Sequence, residues 1–122
     1  MTCLKPLVLI LALAATSVFA ADGGAAAKAG KPVTLKPQKI HEKCLSLAPP
    51  QKLQYSFGTD KAVDFNIHYH KGDMVYYPIK EKKTTLSEGI YTPPSREDYC
   101  MMWENRSPSA EVQLEFTFKI IR

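Results

Sequence analysis

Residues 63–70 alternate without a break. Val63, Phe65, Ile67 and Tyr69 fall on one side; Asp64, Asn66, His68 and His70 fall on the other. A repeat of two is that of a strand with one buried face, whereas a helix would group apolar residues three and four apart. Residues 111–121 repeat the pattern with Val112, Leu114, Phe116, Phe118 and Ile120 on one side, and residues 51–57 do so with Leu53, Tyr55 and Phe57. Further strands are expected over 40–47, 73–79, 84–92 and 98–104, making about seven between residues 38 and 122. Turn residues separate them: Ala48-Pro49-Pro50, Gly58-Thr59-Asp60, Lys71-Gly72, Lys80–Lys83, Thr92-Pro93-Pro94 and 105–109. His70-Lys71-Gly72-Asp73 has the form of a tight hairpin, and Pro78, which has no amide hydrogen to give a ladder, belongs at a strand end or a sheet edge. No segment reads as a long amphipathic helix. The pattern predicts an all-β, antiparallel sandwich or barrel.

Before the alternation begins, the composition differs. Lys5, the apolar run Leu7–Ala15 and the small residue Ala20 after Ser17-Val18-Phe19 have the form of a secretory signal peptide over residues 1–20. Nine apolar residues fall short of the ~20 that cross a bilayer as a helix, so no transmembrane segment is expected in the mature chain. Residues 21–37, rich in Ala, Gly, Lys and Pro, are expected to be a flexible linker, leaving 38–122 as the folded domain. Cys3 leaves with the signal peptide. The two remaining cysteines, Cys44 and Cys100, suggest one disulfide in an exported chain. Closing the loop from residue 44 to residue 100 stabilises by about 4 kcal/mol on a chain-entropy account.

The net charge of +4 resides ahead of residue 40, where Lys5, Lys28, Lys31, Lys36 and Lys39 face only Asp22. Residues 40–122 carry equal numbers of acidic and basic side chains. A neutral domain is a poor match for nucleic acid, which calls for a basic surface on the fold itself.

From Glu42-Lys43-Cys44-Leu45 to Phe118 the chain resembles the Golgi-dynamics (GOLD) domain family. The resemblance rests on a cysteine in an early strand, the phrase VDFNIHYHKGD, a late YCMMWEN and a final alternating strand. It is similar, more narrowly, to small exported bacterial proteins that share the FNIHYH and MWEN phrases. The resemblance implies an antiparallel β-sandwich of jelly-roll or GOLD-like form, a Cys44–Cys100 bond, and binding rather than catalysis.

Several constellations could carry chemistry. His68 and His70 lie two apart on one strand face, with Asp64 and Asn66 in the same row, and His41 could join from a neighbouring strand. Imidazoles and a carboxylate suit Zn²⁺ or Cu²⁺, so His68, His70, Asp64 and His41 are the expected metal ligands if a metal is bound. The alternative is an ordinary polar outer face. Tyr76 and Tyr77, adjacent in the chain, should point to opposite faces with one of them exposed. Trp103 shares a face with Tyr99 and Met101, which suits a core; as a functional residue it would be an aromatic contact platform. Asn66, Tyr76, Tyr77 and Trp103 are therefore the candidate contact residues. No nucleophile elbow, His-Glu-x-x-His motif or phosphate-binding glycine loop occurs, so no catalytic residue is assigned. The expectation is an exported binding module, with a protein, glycan or lipid as ligand and no cofactor. A metal-binding protein using His68 and His70 is the alternative, and an enzyme of unidentified type the second alternative.

Overall fold

A computed structural model describes residues 31–122. The expected signal peptide and most of the expected linker lie outside the described residues. The described chain is all-β, with β1 (Val33–Leu35), β2 (Ile40–Leu47), β3 (Lys52–Lys71), β4 (Met74–Tyr91), β5 (Glu97–Glu104) and β6 (Val112–Ile121). Every pairing is antiparallel, in the order β1-β6-β3-β5-β2, with β4 along the other side of β3.

The backbone of the fold is the β3–β4 hairpin. Its turn is Gly72-Asp73, with Lys71 paired to Met74 and Gly72 at φ 61°, a conformation that costs glycine little. The free side of β3 is divided. Residues 52–59 pair with β6, and residues 64–69 pair with β5. The hairpin thus has a proximal half, extended by β6 and β1, and a distal half, extended by β5 and β2.

The two halves close over one core. Phe57 of the proximal half lies 4.6 Å, ring to ring, from Phe65 of the distal half. Trp103 on β5 packs against Phe57, Phe65 and Phe116. Leu53, Tyr55, Ile67, Tyr99, Met101, Val112 and Leu114 complete the buried cluster. These are the apolar positions of the alternation, so burial follows directly from the period of two.

Six strands stand where seven were expected. Gly58-Thr59-Asp60 and Lys80–Lys83 are not chain reversals; each lies inside a long strand where the hairpin bends, the first against Leu86 and Thr85, the second against Asp64, Phe65 and Asn66. Between Gly58 and Val63 four residues of β3 face a single residue, Thr85, of β4. Between Val63 and Phe65 the surplus is on β4, where Lys83 takes φ 52°. Bulges bend a strand and leave amides without ladder partners. Here Asp64 Oδ1 accepts the Lys83 N–H at 3.0 Å, and Asp60 Oδ1 accepts the Gln113 N–H at 2.8 Å. A third shift lies between Ile67 and Tyr69 and holds Pro78, on a strand whose other edge is unpaired among the described residues. There a missing amide hydrogen costs nothing.

The linker also ends earlier than expected. Val33–Leu35 pairs with β6, and Leu35 is 2% exposed. Asn105, fully buried, fastens this segment. Its amide nitrogen donates to the carbonyls of Leu35, Lys36 and Ala110, and its oxygen accepts the Ser107 N–H.

Candidate functional site

The outer face of the distal half is built from three strands in register. Glu42, Cys44 and Ser46 of β2 stand opposite Met102, Cys100 and Asp98 of β5. Those in turn stand opposite Asn66, His68 and, one step further, His70 of β3. Cys44 and Cys100 face each other directly, Cα atoms 4.0 Å apart, and are joined as a disulfide.

Beside that bond sits His68, only 4% exposed although its strand position faces outward. Nδ1 is 2.7 Å from Asn66 Oδ1, and Nε2 is 3.0 Å from Glu42 Oε1. The His70 ring stands edge-on at 5.3 Å and the Tyr77 ring lies 5.7 Å away. Burial pushes the imidazole below its ordinary pKa; Glu42 pulls the other way, and His70 adds to the lowering. A neutral ring carries one proton. Nε2 faces a carboxylate, which can only accept, so that proton sits on Nε2 and donates to Glu42, while the Asn66 amide lies across from Nδ1.

Asn66 is 8% exposed and holds His68 in place, so it is a positioning group and not the surface contact expected for it. Trp103, 1% exposed, is core, which rules it out as a contact platform in this conformation. His41 does not join His68. It stands in the inward row with Trp103, its ring 6.0 Å from Trp103 and 5.5 Å from Phe116. Asp64 shares the outer face, but its carboxylate serves the bend, accepting from Lys83 N–H and lying 3.4 Å from Arg106 Nη1. Of the four expected ligands, only His68 and His70 come together.

Glu42 was missed. It lies two residues before Cys44 and so shares its face, a signal usable once the Cys44–Cys100 bond fixes the register. Glu42, His68 and Cys100 place their donor atoms within 4.8 Å of one another. Cys44 Sγ lies 3.8 Å from Glu42 Oε1 but, being in the disulfide, has no proton to donate.

Next to the disulfide the surface is hollowed to about 520 Å³, lined by Cys44, Ser46, His70, Glu97, Asp98 and Cys100. Two of these lining residues, Ser46 and Asp98, are hydrogen-bonded to each other. Beyond the hollow the hairpin tip is unusually apolar for an exposed segment. Met74, Val75, Tyr76 and Tyr77 are 58, 36, 42 and 47% exposed. Both tyrosines are therefore accessible, where one was expected. The Tyr77–Pro78 bulge separates them: Tyr76 stacks on Tyr69 on the inner side, and Tyr77 lies near His68 on the outer side under the Lys80 ammonium.

Among the described residues no helix is long and apolar enough to cross a membrane. No family model matches the chain, and no curated protein is significantly similar to it.

Proposed function

We propose that this chain is an exported binding module whose contact surface is the tip of the β3–β4 hairpin. One observation carries this: four consecutive residues, Met74–Tyr77, each more than a third exposed, follow directly on the two-residue turn that joins two long paired strands. Exposed apolar groups on a rigid support lose little entropy on binding, and tyrosine and methionine are enriched where proteins meet. A protein ligand is favoured over a glycan or lipid by that composition. The disulfide, together with the form of residues 1–20, supports export. The GOLD-like resemblance agrees with a binding role, and the site is read as binding and not catalytic.

The test uses a photocrosslinking residue in place of Tyr77 and, as a control, in place of Gln54 on the outer face of the proximal half, in cells that export the protein. A discrete adduct from position 77, absent from position 54 and lost when Met74→Ser and Tyr76→Ser are added, is the expected result. Equal labelling from both positions, or none from position 77, contradicts the proposal.

A further inference from the structure

We propose that the Cys44–Cys100 bond closes a metal site. On reduction, the two thiolates, His68 Nε2 and Glu42 become four donors for a single thiophilic divalent cation of the Zn²⁺ class. This is independent of the hairpin tip and of its ligand.

The donors are already gathered. Glu42 Oε1 is 3.0 Å from His68 Nε2 and 3.8 Å from Cys44 Sγ. Glu42, His68 and Cys100 offer atoms within 4.8 Å of one another, and Cys44 is the bonded neighbour of Cys100. Two thiolates, an imidazole nitrogen and a carboxylate oxygen make a set that tetrahedral zinc accepts. They come from three adjacent strands of one sheet face, whose ladder fixes their spacing.

The outer shell has the same character. A metal-bound imidazole ordinarily donates its other N–H to an oxygen, which fixes the tautomer and ring orientation. His68 has that partner in buried Asn66, 2.7 Å from Nδ1. The other nitrogen, Nε2, faces the Glu42 carboxylate at 3.0 Å, and the two together hold a cation between them, either a proton or a metal ion. His68 and Cys100 form a shielded floor, while Glu42 and Cys44 are exposed and leave a way in.

The disulfide and the metal exclude each other, because sulfurs bonded to one another are neutral and are not thiolate ligands. Opening the site needs a dithiol. Its thiolate attacks exposed Cys44 Sγ, the Cys44–Cys100 bond breaks, and the second thiol of the reagent resolves the mixed disulfide. Two electrons and two protons pass to the protein, leaving two thiols and an oxidised reagent. Metal binding then releases the two thiol protons to solvent.

The experiment is a Co²⁺ titration of the protein, oxidised or reduced with a phosphine that is then removed without oxygen. Sheet content is followed by circular dichroism in parallel. Reduced protein should take up one Co²⁺ with a sulfur-to-cobalt charge-transfer band and the visible bands of a four-coordinate ion, both displaced by Zn²⁺. Oxidised protein should show neither. Glu42→Gln and His68→Gln should each weaken binding by about tenfold or more. His41→Gln, on the opposite face, should leave binding unchanged, and the double variant Cys44→Ser/Cys100→Ser should lose the charge-transfer band. If reduction alone melts the sheet, Co²⁺ should restore sheet and band together. Reduced protein that gives no thiolate band, folded or unfolded, overturns the proposal. So does a band equally strong in Glu42→Gln and His68→Gln.

Discussion

The two halves of the β3–β4 hairpin share strands and a core, yet treat their outer faces differently. In the proximal half β3 buries one side only: Leu53, Tyr55 and Phe57 point inward, and Gln54 points to solvent. In the distal half β3 is buried on both sides, from Phe65 through Asn66, Ile67 and His68. The extra cover comes from the disulfide, Glu42 and the Tyr77 and His70 rings, all on the outer face. Buried polar groups cost stability unless they are paired, so a paired His-Asn-Glu set on a sheet's outer side marks an organised site and not a solvated face.

The largest expected effect tests the part the halves have in common. Trp103→Ala removes the ring between Phe57, Phe65 and Phe116 and should cost about 3–5 kcal/mol in denaturant unfolding. A cost near 1 kcal/mol would mean that the halves do not share a core. Next is Cys44→Ala/Cys100→Ala, with an expected loss of about 2–5 kcal/mol under oxidising conditions relative to the oxidised parent. Hydrogen exchange should then rise in β2 and the distal part of β5 before it rises in β6. Uniform acceleration would erase the distinction between the halves.

Much of this was legible in the sequence. The alternation located β6, and the turn residues between strands bounded β2 and β5, each to within a residue or two; Gly72 marked the hairpin turn. The alternation also gave the inward rows of β3, and of β6 as far as Phe116, because side-chain direction in a strand follows from parity alone; beyond that, Phe118 and Ile120 keep the parity but are exposed. Strand continuity was not legible. Gly58-Thr59-Asp60 and Lys80–Lys83 are turn residues by composition, but a bulge uses the same residues to bend a strand without ending it. Burial on the outer face was not legible either. Parity puts Asn66 and His68 outward, but what covers them depends on long-range register that only the disulfide fixes. Val33–Leu35 was masked by a flexible-looking flank, and its order comes from Asn105 far along the chain.

Two smaller effects sharpen the contrast. His68→Ala should cost about 1–3 kcal/mol in the oxidised protein, because it strips partners from Asn66 and Glu42 in a covered site. Gln54→Ala, at an exposed outward position of the proximal half, should stay within about 0.5 kcal/mol. Equal costs would remove the reason for separating the faces. Smallest is Asp60 at the bend. The Gln113 N–H holds its carboxyl below the usual range, despite opposing desolvation, with help from Lys61. A depressed carboxyl pKa stabilises the fold above the unfolded value of about 3.9, and this is lost as pH falls through the folded value. Asp60→Asn should therefore melt slightly lower than the parent at pH 7, with the difference closing below about pH 4. A gap unchanged by acid would assign the loss to something other than the charge.

The distal outer face is, on this account, a preorganised site centred on His68. The most direct test is the nitrogen chemical shifts of the His68 ring, read by long-range proton–nitrogen correlation in the oxidised protein across the acidic and neutral range. The account predicts a neutral ring at pH 7 with its proton on Nε2, hydrogen-bonded to Glu42. A bare Nε2, or a ring that titrates near 6.5 like a free imidazole, would contradict it.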